Sequence, residues 1–150
     1  MGSEALKRIP VGSRIALDTV SFVYFLERHP TFYRPAKDLF ERIEKGKFEA
    51  VASTLVLTEL LVQAFRAEDS SRTQEVLRLL THFPHLKLVE VDTNIAYEAS
   101  RIRAETALRT PDALHLATAL LQKVEWFVTN DKAFSRIPNI PLKIGLFSAS

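Results

Sequence analysis

Cysteine is absent from the 150 residues. That excludes disulfides, zinc–thiolate sites and a thiol nucleophile, and it fits a reducing compartment. Glycine is scarce, at 4 residues, and the four are scattered. No glycine-rich loop is available to cradle a nucleotide phosphate. No apolar run approaches the roughly 18 residues needed to cross a membrane. The opening stretch MGSEALKRIPVGSR lacks the apolar segment of a secretory signal. A cytoplasmic protein with no membrane partner is the expectation. Charge of one sign is lacking as well: 20 Lys and Arg face 18 Asp and Glu, a net of +2. So small a basic excess permits a polyanionic partner but is weak evidence for one.

What is present is a folded domain. Hydrophobic content is 47% and charged content 25%, ordinary for a globular chain. Residues 1–150 have the length of one domain, able to bury about 68–70% of its unfolded surface.

Short apolar runs alternate with amphipathic stretches. Arg14–Leu17 (RIAL) reads as a first strand ending at Asp18, followed by a helix over Ser21–Arg28. A second helix spans Tyr33–Lys45 and stops at Gly46. Phe48–Ala52 is strand two, and Ser53 or Thr54 caps a helix reaching Ala67. Ser70 or Ser71 caps a helix carrying Val76, Leu77, Leu79, Leu80 and Phe83, and Leu86–Val91 is strand three. Asp92 or Thr93 caps a helix to Ala107. Thr110-Pro111 then opens a deep, Ala- and Leu-rich helix to Lys123, with Thr110 as N-cap. Glu125–Thr129 and Pro141–Phe147 are strands four and five. The alternation predicts an α/β domain: a mostly parallel sheet, helices on both faces and right-handed crossovers.

In such sheets sites form beyond the carboxyl ends of the strands, near a switch in strand order. Asp18 ends strand one, Asp131 follows strand four, Glu59 lies early in the helix after strand two, and Asp112 opens the deep helix. Simple topology puts all four at one rim. Glu59 in LVLTELLVQAF and Asp112 in PDALHLATALL sit among apolar residues, where a lone carboxylate is costly. A divalent cation offsets both that cost and the mutual repulsion. Hard oxygen donors select Mg²⁺ or Mn²⁺, and the matching chemistry is attack of water on a phosphodiester. Each acid also has a plainer reading. Asp18 can cap a helix, Asp131 can form a turn, Asp112 can favour a helix N-terminus, and Glu59 can lie on a solvated face.

The segments IALDTVSFVYFLE, STLVLTELLVQAFR, TPDALHLATAL and FVTNDKAF occur in the order and spacing of the PIN-domain ribonucleases. The chain resembles that family from about Arg14 to Phe147, most closely the VapC-type toxins of toxin–antitoxin pairs. The resemblance implies a Rossmann-like sheet of five parallel strands in order 3-2-1-4-5. It also implies an acidic site for Mg²⁺ or Mn²⁺, single-stranded RNA as substrate, a homodimer and a cognate antitoxin. Asp18, Glu59, Asp112 and Asp131 match the family's acidic quartet, and Thr129 and Asn130 match the polar pair before the last acid.

Ser21 is read first as a helix cap, with a hydrogen bond near the metal as its functional alternative. His115 is read as a packed, hydrogen-bonded histidine, with phosphate contact or acid–base work as alternatives. Among the basic residues, Arg66 and Lys132 flank motif acids and are the best candidates to meet RNA phosphates. Phe22, Tyr24, Phe25 and Phe40 are read as core or dimer interface. Two other functions fit the same residues: a PIN nuclease of RNA processing or of structured DNA, and a non-cleaving PIN-like module that binds RNA or a partner.

Overall fold

A computed structural model of the protein describes residues 4–147. The single-domain expectation for 1–150 includes residues 1–3 and 148–150, which lie outside the described residues. In chain order the elements are α1 (Glu4–Lys7), β1 (Arg14–Leu17), α2 (Thr19–Leu26), α3 (Tyr33–Glu44), β2 (Glu49–Ser53), α4 (Leu55–Arg66), α5 (Ser70–His82), β3 (Leu86–Val89), α6 (Thr93–Glu105), α7 (Thr110–Leu121), β4 (Trp126–Thr129) and β5 (Lys143–Leu146), with a 3₁₀ turn at Phe134–Arg136.

The sheet has five strands in the order β3-β2-β1-β4-β5. Every pairing is parallel. Parallel strands are covered on both faces, which is why IAL, AVA and FV read as unbroken apolar runs. The two-residue period divides them. Ile15, Leu17, Ala50, Ala52 and Val128 face one core, with Phe22, Phe40, Val56 and Val76 from α2 to α5. Ala16, Val51, Val89 and Phe127 face the other core, under α6 and α7 with Ile95, Ala99 and Leu116. The result is three layers, helix on sheet on helix, as expected.

The aromatic residues of α2 and α3 pack in the first core: Phe22 and Phe40 meet edge-on, with ring centroids 5.3 Å apart. Phe22, Tyr24 and Phe40 are buried, and Phe25 is partly so.

Several helix starts differ from expectation. Ser21 does not cap α2; Asp18 does, accepting from the Val20 amide. Asp69, not Ser70 or Ser71, caps α5 by accepting from the Arg72 amide. At α7 the cap position is Arg109, with no side-chain cap bond. Thr110 is the first helical residue, and its Oγ1 instead receives Arg103 Nη1 at 3.1 Å. In the first two cases the aspartate directly precedes the first helical residue, and its side chain accepts from an amide of the first turn.

Candidate active site

The parallel sheet brings the ends of β1 and β4 together. Leu17 pairs with Val128, so the next residues, Asp18 and Thr129, are neighbours at the carboxyl rim. Thr129 Oγ1 donates to Asp18 Oδ2 at 2.6 Å, and the Asp131 amide donates to Thr129 Oγ1 at 3.1 Å. The other Asp18 oxygen accepts from the Val20 amide at 3.2 Å. Asp18 thus caps a helix and joins an acidic cluster at once; the two readings of this residue are compatible. Asp131 likewise serves its turn, accepting from the Ala133 amide at 2.9 Å.

Glu59 comes from α4 and Asp112 from the first turn of α7. Glu59 Oε1 meets His115 Nε2 at 2.8 Å, and Thr19 Oγ1 donates to the same oxygen in a short hydrogen bond. His115 is 4% exposed. It is the packed, hydrogen-bonded histidine expected, but its partner is an acid of the cluster.

The four acids interact electrostatically, with Asp112 in the middle. Burial pushes the Asp112 carboxyl up, the charges of Asp131 and Glu59 push it further, and His115 and Arg109 oppose them. Burial drives Asp18 from 3.8 up to about 6, against the hydrogen bonds from Thr129 and Val20 and the proximity of His115; the charge of Asp112 adds to the rise. Glu59 shifts the other way: the His115 hydrogen bond, with Thr19 helping, holds it below the usual carboxylate range despite burial.

Among the described residues, no three of His, Asp and Glu converge as a ready-made metal cage. The donor set nonetheless suits a hard cation. All four acids offer carboxylate oxygen, and Mg²⁺ needs only one or two carboxylates when water and phosphate complete its shell. The charge of Asp112 acts on Asp18, and the charges of Asp131 and Glu59 act on Asp112; a bound cation would relieve that repulsion.

Of the remaining candidates, Thr129 is fully buried between Asp18 and the Asp131 amide. Asn130 donates to the Tyr24 hydroxyl at 2.8 Å, tying the loop after β4 to α2. Ser21 is fully buried, and its Oγ has no hydrogen-bond partner among the described residues. Arg66 is exposed at the far end of α4, about 10 Å along the axis from Glu59 at 1.5 Å per residue. Lys132 is exposed beside Asp131. Sequence reasoning missed Thr19 as a partner of Glu59. Its position directly after Asp18, at the start of α2, is the only signal available, and it does not name the partner.

The family described as PIN domain matches residues 15–140. Among curated proteins, none matches the chain. Solved structures share the fold. A toxin–antitoxin complex from Klebsiella pneumoniae is 24% identical with a TM-score of 0.63, covering 87% of this chain and 99% of that one. VapBC2 from Rickettsia felis, bound to a DNA fragment from its promoter, is 23% identical with a TM-score of 0.67, covering 87% and 98%. VapC20 from Mycobacterium tuberculosis, a sarcin–ricin-loop-cleaving toxin, is 16% identical with a TM-score of 0.65, covering 85% and 98%. With sheet order, acidic rim and family match in agreement, the chain belongs to the PIN domain family.

Proposed function

We propose that the protein is a divalent-metal-dependent endoribonuclease that hydrolyses phosphodiester bonds in single-stranded RNA, the toxin of a toxin–antitoxin pair. One observation carries the reading: Asp18 and the Asp131 turn are joined through Thr129 at the switch point between β1 and β4, with Asp112 close enough to feel the charges of Asp131 and Glu59. Structural roles alone do not require acids to be gathered against their own repulsion. The toxin assignment is supported by fold likeness to members of toxin–antitoxin complexes. An antitoxin that covers the acidic rim and a second copy of the chain are the partners this reading expects, in the cytoplasm.

Asp18, Asp112 and Asp131 would hold Mg²⁺ or Mn²⁺, with Glu59 as the fourth acid, directly or through water. When bound, the metal supplies charge stabilisation for the attacking and leaving oxygens of the phosphodiester. The chain's own groups do the placing. Thr129 fixes one oxygen of Asp18 and the amide of Asp131, so the two acids keep a common register. Asn130 steadies the loop through Tyr24. Arg66 and Lys132 offer positive charge to RNA phosphates on either side.

Replacing Asp112 with Asn tests the reading. Metal-dependent cleavage is expected to fall at least about 100-fold, measured as product release from labelled single-stranded RNA, with the melting curve unchanged or raised. Wild-type activity in Asp112→Asn overturns it.

A further inference from the structure

Glu59 stands apart from the other acids. One of its oxygens is held twice: Oε1 takes His115 Nε2 at 2.8 Å and the Thr19 hydroxyl. Thr19 Oγ1 and His115 Nε2 are themselves 3.3 Å apart, so three groups from α2, α4 and α7 close on one point. No hydrogen bond to Oε2 occurs among the described residues. His115 is 4% exposed, and its Nδ1 has no partner among them. A buried N–H at Nδ1 with no acceptor is costly. Nε2 therefore carries a proton, which it donates to Glu59.

We infer that His115 and Thr19 are positioning residues for the nuclease reaction, fixing Oε1 of Glu59 so that Oε2 is presented to the metal and substrate. The inference rests on the nuclease reading above. It gives His115 a role other than acid–base catalysis: it acts through Glu59 and touches no reacting atom. Outer partners of this kind orient metal-site carboxylates, and their loss costs about 10–100-fold in metal affinity or activity.

The test compares His115→Leu, Thr19→Val, Thr19→Ser and Glu59→Gln, alone and with Glu59→Gln combined with each of the first two. Two quantities are read: Mn²⁺ affinity by electron paramagnetic resonance, and kcat and KM on single-stranded RNA. The expected result is a 10–100-fold loss in Mn²⁺ affinity or kcat for His115→Leu and Thr19→Val, at unchanged KM. Thr19→Ser, which keeps the hydroxyl, stays near wild type. Adding either variant to Glu59→Gln brings no further loss, because both act through that one carboxylate. Losses that multiply in the double variants overturn the inference, as does equal damage from Thr19→Ser and Thr19→Val. If His115→Leu fails to fold, the partly exposed Thr19 carries the same comparison. A wild type that cleaves and binds Mn²⁺ while Thr19→Val and His115→Leu match it sinks this inference alone. A wild type that does neither sinks the nuclease reading with it.

Discussion

Asp18 carries two duties that pull its carboxyl in opposite directions. As the cap of α2 it favours charge, but burial and the neighbouring Asp112 favour the proton, and the proton wins up to about pH 6. The sign for stability follows. The unfolded chain gives up this proton near 3.8, the folded one near 6. Between those values the native state binds more protons, so Asp18 lowers stability as pH rises through the window. Asparagine also caps helices. Asp18→Asn should therefore melt higher than wild type in EDTA at pH 7.5, and the two should converge near pH 3.8. Thermal midpoints across pH 4 to 8 check this, and a constant difference speaks against it. Mn²⁺ should raise the wild-type midpoint at pH 7.5, raise it less at pH 5, and leave Asp18→Asn nearly unmoved, since the bound form needs the ionised carboxylate. Equal Mn²⁺ shifts in both proteins contradict that. In the sequence, Asp18 and Asp131 are legible at one rim because parallel strands end there, and Glu59 and Asp112 because the helices after β2 and before β4 start there. The Thr19–Glu59–His115 contact was not legible, because it joins three elements whose relative rotation no local spacing encodes.

At the scale of elements, the helix ends are unusual in composition rather than shape. Four helices close with the same pair of reverse-turn hydrogen bonds or part of it. After α7, Lys123 N bonds Leu120 O and Val124 N bonds Ala119 O; after α4, Glu68 N bonds Phe65 O and Asp69 N bonds Ala64 O. This closure sets the residue after the cap in the left-handed region, where glycine is favoured. Gly46 fills that position after α3 at φ 77°, but Arg28, Glu68 and Lys123 occupy it at 49°, 52° and 55° after α2, α4 and α7. A side chain there costs about 1–2 kcal/mol, offset in part by the unfolded-state entropy that glycine adds. Glu68→Gly and Lys123→Gly should each raise stability by about 0.5–1 kcal/mol by these terms. Urea unfolding measures it, and a loss in both variants contradicts the strain argument. The helix before Gly46 is legible in the sequence to within one residue of its end at Glu44, because glycine announces the stop. The ends of α6 and α7 were placed two residues late because no glycine or proline marks them.

For the whole molecule, the exposed edge of the sheet at β5 needs cover, since an open parallel edge invites pairing with another chain. The segment ahead of β1 packs beside that edge, on the face of the sheet in the first core. α1 lies by β5, and Leu6 and Ile9, 7% and 2% exposed, pack toward Gly145 at 3.4 and 3.6 Å from an ideal Cβ there. Four residues of helix carry too little pattern to be read in advance, and α1 was not anticipated. The five strands and the two-faced core are legible as short apolar runs between helical stretches, whereas the strand order is implied only by the resemblance to PIN-domain ribonucleases. Ile9→Ala should cost about 2–4 kcal/mol, as for other fully buried aliphatic side chains. A cost below about 0.5 kcal/mol on urea unfolding, the scale of an ordinary surface change, shows that the segment is not part of the core.

The central claim is that the acidic rim is a nuclease site, and one assay reaches it directly. Purified protein is given a pool of labelled single-stranded RNAs with Mn²⁺, with Mg²⁺ or with EDTA, beside Asp131→Asn. The account predicts defined cleavage products with either metal, none with EDTA, and at least about a 100-fold loss in the variant. Cleavage that survives EDTA, cleavage unchanged in Asp131→Asn, or intact RNA in every lane contradicts it.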